Sequence, residues 1–385
     1  MKLRYGLNPQ QTEASAEPAI AGAGPITVLN GAPSYINLLD ILNAWQLVQE
    51  ASSATGMVAA ASFKHVSPAG AALGLSLTEQ LAEAYEVANL ELSETALAYV
   101  RARGADPKSS YGDVAAVSAA VEASLANYLA ATVSDGIVAP DYTGPALDIL
   151  KKKRGGKYLI VQADPGFEPP AVESREVFGL RLIQQRDGVP ISARDLEHVV
   201  AGKLPDSAHR DLLLALAAVR YTQSNSVGYA LGGQMIGIGA GQQSRVDCTK
   251  LAGAKARTWW LLQHPRVRQL SFRPEVKRQD RINWRVRYVE GDLTASEQFE
   301  LESTLLTPLS TFTEQERTEW LAELKDVSLA SDGFIPFPDN VEQAHRYGTR
   351  YIAAPAGGVR GAAVEETCRR LGITLVHTPR RFFHH

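Results

Sequence analysis

Short apolar runs bounded by glycine or proline alternate with segments of helical period along most of the chain, and this alternation limits the fold more than any other feature. It demands a layered α/β architecture, with sheets covered by helices. "ITVLNGAPSYINLLDILNAWQLVQEA" (26–51) reads as a strand, a Gly-Pro loop and a helix capped by Ser34, with Leu38, Leu42 and Trp45 on one face. Strand-like runs follow at "MVAAASF" (57–63), "TVSDGIVAP" (132–140) and "KYLIVQA" (157–163), with a helical stretch at about 76–103. "LPDSAHRDLLLALAAVRYTQSNS" (204–226) predicts a helix capped by Asp206 or Ser207, and "VGYALGGQMIGIGAG" (227–241) predicts two strands around a Gly-Gly turn. The stretch 285–325 is acidic and amphipathic, as expected of a solvated helical surface, and "YIAAPAGGVRGAAVEETCRRLGITLVHT" (351–378) reads as a βαβ unit.

A chain of 385 residues can fill two ordinary cores. "DPGFEPPAVESRE" (164–176) is rich in proline and acid, breaks both periodicities, and marks an exit from the first core. "VSDGIVAP" (133–140) and "ASDGFIPF" (330–337) echo one another, which suggests a duplicated α/β unit with related strand ends facing a common site. The expected division is therefore 1–190 and 191–385.

The candidate chemistry begins where "MVAAASFKHVSPAG" (57–70) ends a strand on Lys64 and His65. Neighbouring side chains on a strand point to opposite faces, so the pair converges only where the strand frays into a loop, an ending that Pro68 and Gly70 supply. An ammonium beside an imidazole opposes its charging, which keeps His65 a neutral base around neutrality. Other chemistries fail on spacing. In "GIGAGQQSR" (237–245) Gln242 stands where a dinucleotide fingerprint needs its third glycine, and no Walker lysine is present. Those glycines offer backbone amides at a helix entrance, with Arg245 in its first turn. The His-x-Glu and Pro-Cys-x-x-Cys elements of a zinc deaminase are missing.

The 39 basic and 42 acidic residues include no long basic stretch laced with aromatics, so nucleic acid is not an expected partner. Only Cys248 and Cys368 are present, as suits a reducing compartment, and the longest apolar runs fall far short of the roughly 20 residues of a bilayer span. Near the C-terminus Arg380 and Arg381 carry the planar fork that matches phosphate oxygens, as does Arg4 beside Tyr5; His384 and His385 read as a solvated tail or a tag remnant.

"LRYGLNPQQ", "ITVLNGAPSYINLLDILNAWQLV", "AAASFKHVSPAGAA", "RARGADPKSSYGD", "VSDGIVAP", "YTQSNSVGYA", "IGIGAGQQSRVDCTKLAGAKA", "SDGFIPFPDN", "YIAAPAGG" and "RFFHH" occur in this order. Together they closely resemble the AICAR transformylase portion of the bifunctional purine biosynthesis enzymes, from residue 3 to the C-terminus. The resemblance implies two tandem cytidine-deaminase-like α/β/α subdomains without zinc, and a cytoplasmic homodimer with active sites across the subunit interface. It also implies 10-formyltetrahydrofolate as cosubstrate and leaves a monovalent cation open. In those enzymes an IMP cyclohydrolase domain precedes the "RYG" block, whereas here Met1 lies just ahead of it, so formyl transfer without ring closure is expected. By the same resemblance His65 is the general base, and Lys64 the cation that steadies the developing oxyanion or the departing folate nitrogen. Arg4, Tyr5, Gly112, Asp135, Asn225, Arg245, Phe334 and Arg381 match ribotide contacts, and Val246, Asp339, Gly358 and Val359 match folate contacts. Leu7 and Gln10 stand where an acidic residue and a histidine are usual, Pro338 where a basic one is common, and "APAGGV" (354–359) lacks the serines often found there, so altered folate binding is expected. Two other readings remain: a formyltransferase acting on a related aminated heterocycle, and a nucleotide-binding paralogue without catalysis.

Overall fold

The computed structural model describes every residue except Ala21, Ala23 and His385. The first half forms one six-stranded sheet from β1 (Ile26–Asn30), β2 (Ala59–Phe63), β3 (Pro68–Leu73), β4 (Asp113–Val117), β5 (Ser134–Ala139) and β6 (Leu159–Ala163). Their spatial order is β1-β6-β5-β4-β2-β3, with β4, β5 and β6 parallel and the outer pairings antiparallel. A separate exposed hairpin, β7 (Val172–Val177) and β8 (Leu180–Gln185), follows. The "AVESRE" run read as irregular is therefore mostly strand, since its residues pair in register with Leu180–Gln185 outside any core.

The second sheet contains β9 (Val199–Ala201), β10 (Val227–Ala230), β11 (Met235–Gly239), β12 (Val327–Ser331), β13 (Thr349–Pro355) and β14 (Thr374–Thr378), in the order β11-β10-β12-β13-β14-β9. Read from its other edge it repeats the first sheet strand for strand, with the same sequence of parallel and antiparallel pairs. Duplication is thus observed, but the Ser-Asp-Gly echo does not mark it. Ser134 opens β5, whereas Ser331 closes β12, whose counterpart in the first sheet is β4.

Each sheet carries one long helix on its inner face, Tyr35–Thr55 in the first half and Asp206–Arg220 in the second. These two helices pack on one another and close a single apolar core shared by both halves. Ser34 caps the first as predicted, through a reciprocal capping box with Asn37. The second begins after Pro205 with Asp206 already helical and no side-chain cap, because the proline ring supplies the extended entry conformation. Its "LLLALAAV" run is buried on every side, each leucine contributing about 1.5–3 kcal/mol of burial.

On the outer faces, helices Glu94–Gly104 and Arg245–Leu261 cover β3 and β11 at matching positions. A Cβ on Gly70 would stand 2.1 Å from the Ala102 carbonyl oxygen, and one on Gly237 would stand 2.1 Å from that of Ala252. Only glycine allows these helices so close. The helices Arg278–Glu290, Ala295–Ser303 and Glu314–Leu321 surround their own small core of Val289, Leu301 and Phe312, so the predicted helical surface is solvated on its outer side alone. At the tail, the His384 ring meets the Tyr221 ring edge-on at 4.7 Å, unlike a solvated tag, and His385 lies outside the described residues. No helix among the described residues is long and apolar enough to cross a membrane.

Candidate functional site

Strand β2 ends at Phe63 and the chain reverses at once. The Lys64 N–H donates to the Ser67 carbonyl (2.9 Å), and His65 and Val66 occupy the turn with φ of +54° and +59°. The expected loop is absent: Pro68 and Gly70 belong to β3, and His65 and Val66 form a two-residue hairpin turn, flanked by Lys64 and Ser67, of the kind that Gly-Gly or Asn-Gly usually adopts. The counterpart turn between β10 and β11 has that usual composition, with Gly232 and Gly233 at φ of +60° and +76°. A side chain in the left-handed region costs about 1–2 kcal/mol per residue, and a β-branched one such as Val66 is a genuine outlier.

Asp40 lies under this turn. Its carboxylate is 6% exposed and accepts the Val66 N–H at 2.7 Å. Burial raises its pKa above the usual carboxylate range, against the opposing effects of the Val66 N–H and His65, and Asp135 adds to the rise. In the second half Asp211 accepts the N–H groups of Gly232 (2.7 Å) and Gly233 (2.6 Å). Asp40 and Asp211 occupy the same place, each five residues beyond the first residue of its helix, Tyr35 or Asp206.

Lys64 Nζ donates to the Tyr111 carbonyl (2.5 Å), next to Gly112, which has a φ of +74° and donates its N–H to Val133 O at 3.1 Å. The strand ends below are held by the fully buried Asp113, which accepts from Ser62 Oγ (2.6 Å), Tyr99 OH (2.7 Å) and Arg103 Nη1 (2.8 Å). Asp135 pairs with Arg154 at 2.7 Å on the surface, 4.0 Å from where a Cβ on Gly112 would stand. Arg4 donates to Asn37 Oδ1 (3.1 Å) and lies over the Tyr5 ring, which docks the N-terminal segment on the first turn of the Tyr35–Thr55 helix.

In the second half Arg245 is 8% exposed and opens its helix with every reach of its fork used. Nη1 donates to Ser226 O (3.1 Å), Ser331 Oγ (3.0 Å) and the fully buried Asp332, and Nη2 donates to Asn225 Oδ1 (2.6 Å). Asn225 Nδ2 donates in turn to the Gln242 and Gln243 carbonyls, so its orientation is set from both sides. The Phe382 N–H donates to Asp332 O (2.8 Å) and its ring is buried, which pins the C-terminal segment beside Arg245. Of the two adjacent arginines, both of which line one cleft, Arg380 is anchored on Val189 O (2.8 Å) and Pro190 O (2.9 Å), while Arg381 lies over the Phe383 ring at 4.9 Å.

Asn225, Arg245, Phe334 and Arg381 line a cleft of about 790 Å³, and His65 with Ser67 and Gln242 lines an open groove of about 700 Å³. The two share Asn225, Gln243 and Phe383 in their linings and so adjoin, a passage of two neighbouring cavities with walls from both halves. Of the predicted site residues, His65, Asn225, Arg245, Phe334 and Arg381 are thus brought together. Arg4, Tyr5, Lys64, Gly112 and Asp135 line neither cavity. Nor do the four predicted folate contacts. Val246 follows Arg245 in the helix, Asp339 accepts from Asn340 Nδ2 (2.8 Å) just after Pro338 at the helix start, and Val359 is 94% exposed. Gly358 presses on Ile335, where a Cβ would stand 2.7 Å from the carbonyl oxygen.

Sequence reasoning missed Asp40, Asp332, Gln243 and Phe383. For Asp40 a signal exists: "LLDILNAW" and "HRDLLLAL" align the two buried aspartates once the long helices are recognised as counterparts. Among the described residues no three His, Cys, Asp or Glu side chains gather as a metal-binding group. What the passage offers is an exposed imidazole at one end, an oriented carboxamide in the middle and guanidinium groups at the other. That order suits a substrate with a reactive amine and an anionic tail.

The family described as AICARFT/IMPCHase bienzyme matches residues 1–255. The bifunctional purine biosynthesis protein PurH of Desulfitobacterium hafniense is 30% identical over 392 residues, covering 100% of this chain and 58% of the relative. That of Paracoccus denitrificans is 29% identical over 388 residues, covering 100% of this chain and 59% of the relative. The chain thus spans under two thirds of the length of these relatives, and with a family match over most of its residues it belongs to the AICARFT/IMPCHase bienzyme family.

Proposed function

We propose that this chain transfers the formyl group of 10-formyltetrahydrofolate to the 5-amino group of AICAR, giving FAICAR. The observation that carries the reading is that the groove lined by His65 adjoins, at Asn225, the cleft lined by Arg245 and Arg381, in a chain of this family. The AICAR amine is a weak nucleophile because its lone pair is delocalised into a ring bearing a carboxamide. His65 accepts its proton as the nitrogen attacks the formyl carbon. The new C–N bond forms, the carbonyl becomes an oxyanion, and collapse breaks the bond to the folate nitrogen, which takes up a proton, so no net proton is consumed. Lys64 supplies positive charge for the oxyanion or the leaving nitrogen. Asn225 orients the carboxamide, Arg381 meets the phosphate, and Val246, Asp339, Gly358 and Val359 hold the folate.

Arg4, Tyr5, Gly112 and Asp135 lie outside the passage of their own chain, which supports a homodimer in which these residues reach the partner's passage. The duplicated sheets support cytidine-deaminase-like subdomains at 1–190 and 191–385. The buried free thiols of Cys248 and Cys368 suit a cytoplasmic enzyme.

Two measurements test this reading. Purified protein given AICAR and 10-formyltetrahydrofolate consumes the formyl donor, and AICAR has the highest specificity constant in a panel of aminated heterocycles; binding without turnover would reduce the chain to a nucleotide-binding paralogue. Arg381→Ala raises the KM for AICAR about ten- to hundredfold through loss of a charge-assisted contact, whereas Arg380→Ala leaves it within a few-fold and lowers stability by about 1–2 kcal/mol. The reverse pattern would assign the phosphate to Arg380.

A further inference from the structure

We infer that Asp40 is a positioning residue for His65: its buried carboxylate holds the His65–Val66 turn in the left-handed conformation and so aims the imidazole into the passage. The inference rests on the reading of His65 as the base, and the duplication within the chain carries it. Two hairpins occupy equivalent places between β2 and β3 and between β10 and β11, each with an aspartate of the inner helix beneath it. In the second half the turn is Gly232–Gly233, which adopts positive φ without steric resistance, so the Asp211 contacts are an addition to a turn that forms unaided. In the first half the turn is His65–Val66, and both side chains oppose the same geometry. Glycine at 65 would remove the imidazole, and glycine at 66 would free the backbone beside it.

A chain that keeps side chains where its own second copy uses glycine needs something else to hold the turn. The contact from Asp40 to the Val66 N–H, at 2.7 Å from below, is that restraint. Without it the backbone relaxes toward right-handed values and carries the His65 ring away from Asn225 and Phe383, with which it shares the groove. The Asp113 carboxylate bonds instead to Ser62, Tyr99 and Arg103, and so steadies the strands.

The test uses full-length protein, formyl-transfer kinetics and hydrogen exchange at the Val66 amide. Asp40→Ala is expected to lower kcat about thirtyfold with the KM for AICAR within about threefold, the signature of a misplaced catalytic group. Asp40→Asn keeps an oxygen acceptor and recovers kcat to within about fivefold of wild type. Asp211→Ala removes the equivalent contacts under the glycine turn and leaves kcat within about twofold. In a Val66→Gly background, where positive φ is free of strain, adding Asp40→Ala lowers kcat less than about fivefold. Should Asp40→Ala alone fail to fold, this background supplies the comparison. An equal loss in both backgrounds, or an equal loss from Asp211→Ala, overturns the inference. Hydrogen exchange reports on the turn independently of turnover: unchanged protection of the Val66 amide in Asp40→Ala overturns the inference even if His65 is the base. Retained turnover in His65→Ala overturns instead the reading on which it rests.

Discussion

Replacing His65 with alanine lowers kcat for formyl transfer about 10²–10⁴-fold, the usual contribution of a positioned general base, with little change in the KM for AICAR. The magnitude follows from the nucleophile: an amine whose lone pair is delocalised attacks slowly unless its proton is removed as the bond forms. His65→Gly sharpens the prediction because the backbone at this position is left-handed. That variant loses turnover to the same degree yet gains up to about 1 kcal/mol over the alanine variant, since glycine carries no Cβ into the strained region. Steady-state kinetics and urea midpoints on the two variants check both halves. A His65→Ala enzyme with turnover near wild type removes the imidazole from the mechanism. A His65→Gly protein less stable than the alanine one removes the strain.

The largest stability effect belongs to Arg245. Its guanidinium is 8% exposed and the partner carboxylate of Asp332 is fully buried, so Arg245→Met leaves an uncompensated buried charge. Breaking such a pair from one side costs about 3–5 kcal/mol. Arg245→Lys recovers little of this, because a single ammonium cannot reach Ser226 O, Ser331 Oγ, Asp332 and Asn225 Oδ1 together. Arg245→Met combined with Asp332→Leu loses less than the sum of the single changes, since the stranded charge goes with its partner. Denaturant midpoints on the three variants decide the matter, and a loss below about 1 kcal/mol for Arg245→Met would mean the pair is not the desolvated one described.

Much of the architecture was legible from side-chain period. The strand and capped helix at 26–55, the strands around Gly232–Gly233 and the βαβ unit at the C-terminus all formed as read, because apolar periodicity and capping act over a few residues. The errors came where tertiary context overrode local signals. Pro68 reads as a strand breaker, yet it starts β3. "VESREV" is polar enough for a loop, yet it pairs with the following strand. The Ser-Asp-Gly echo pointed to a real duplication through two positions that are not counterparts, since Asp-Gly recurs at turns for local reasons.

The sequence by itself determined most of the segments that become strands and helices and which residue types are on hand for acid–base and anion chemistry. These are consequences of residue type and short-range spacing. Only the tertiary structure decided that Asp40 lies beneath the His65 turn, that Arg380, though it lines the cleft beside Arg381, is also held by Val189 and Pro190, and that the cavities lined by His65 and by Arg245 adjoin. Each of these joins residues far apart in the chain, and such partners are chosen by how the inner helices dock on the two sheets, which no local pattern encodes.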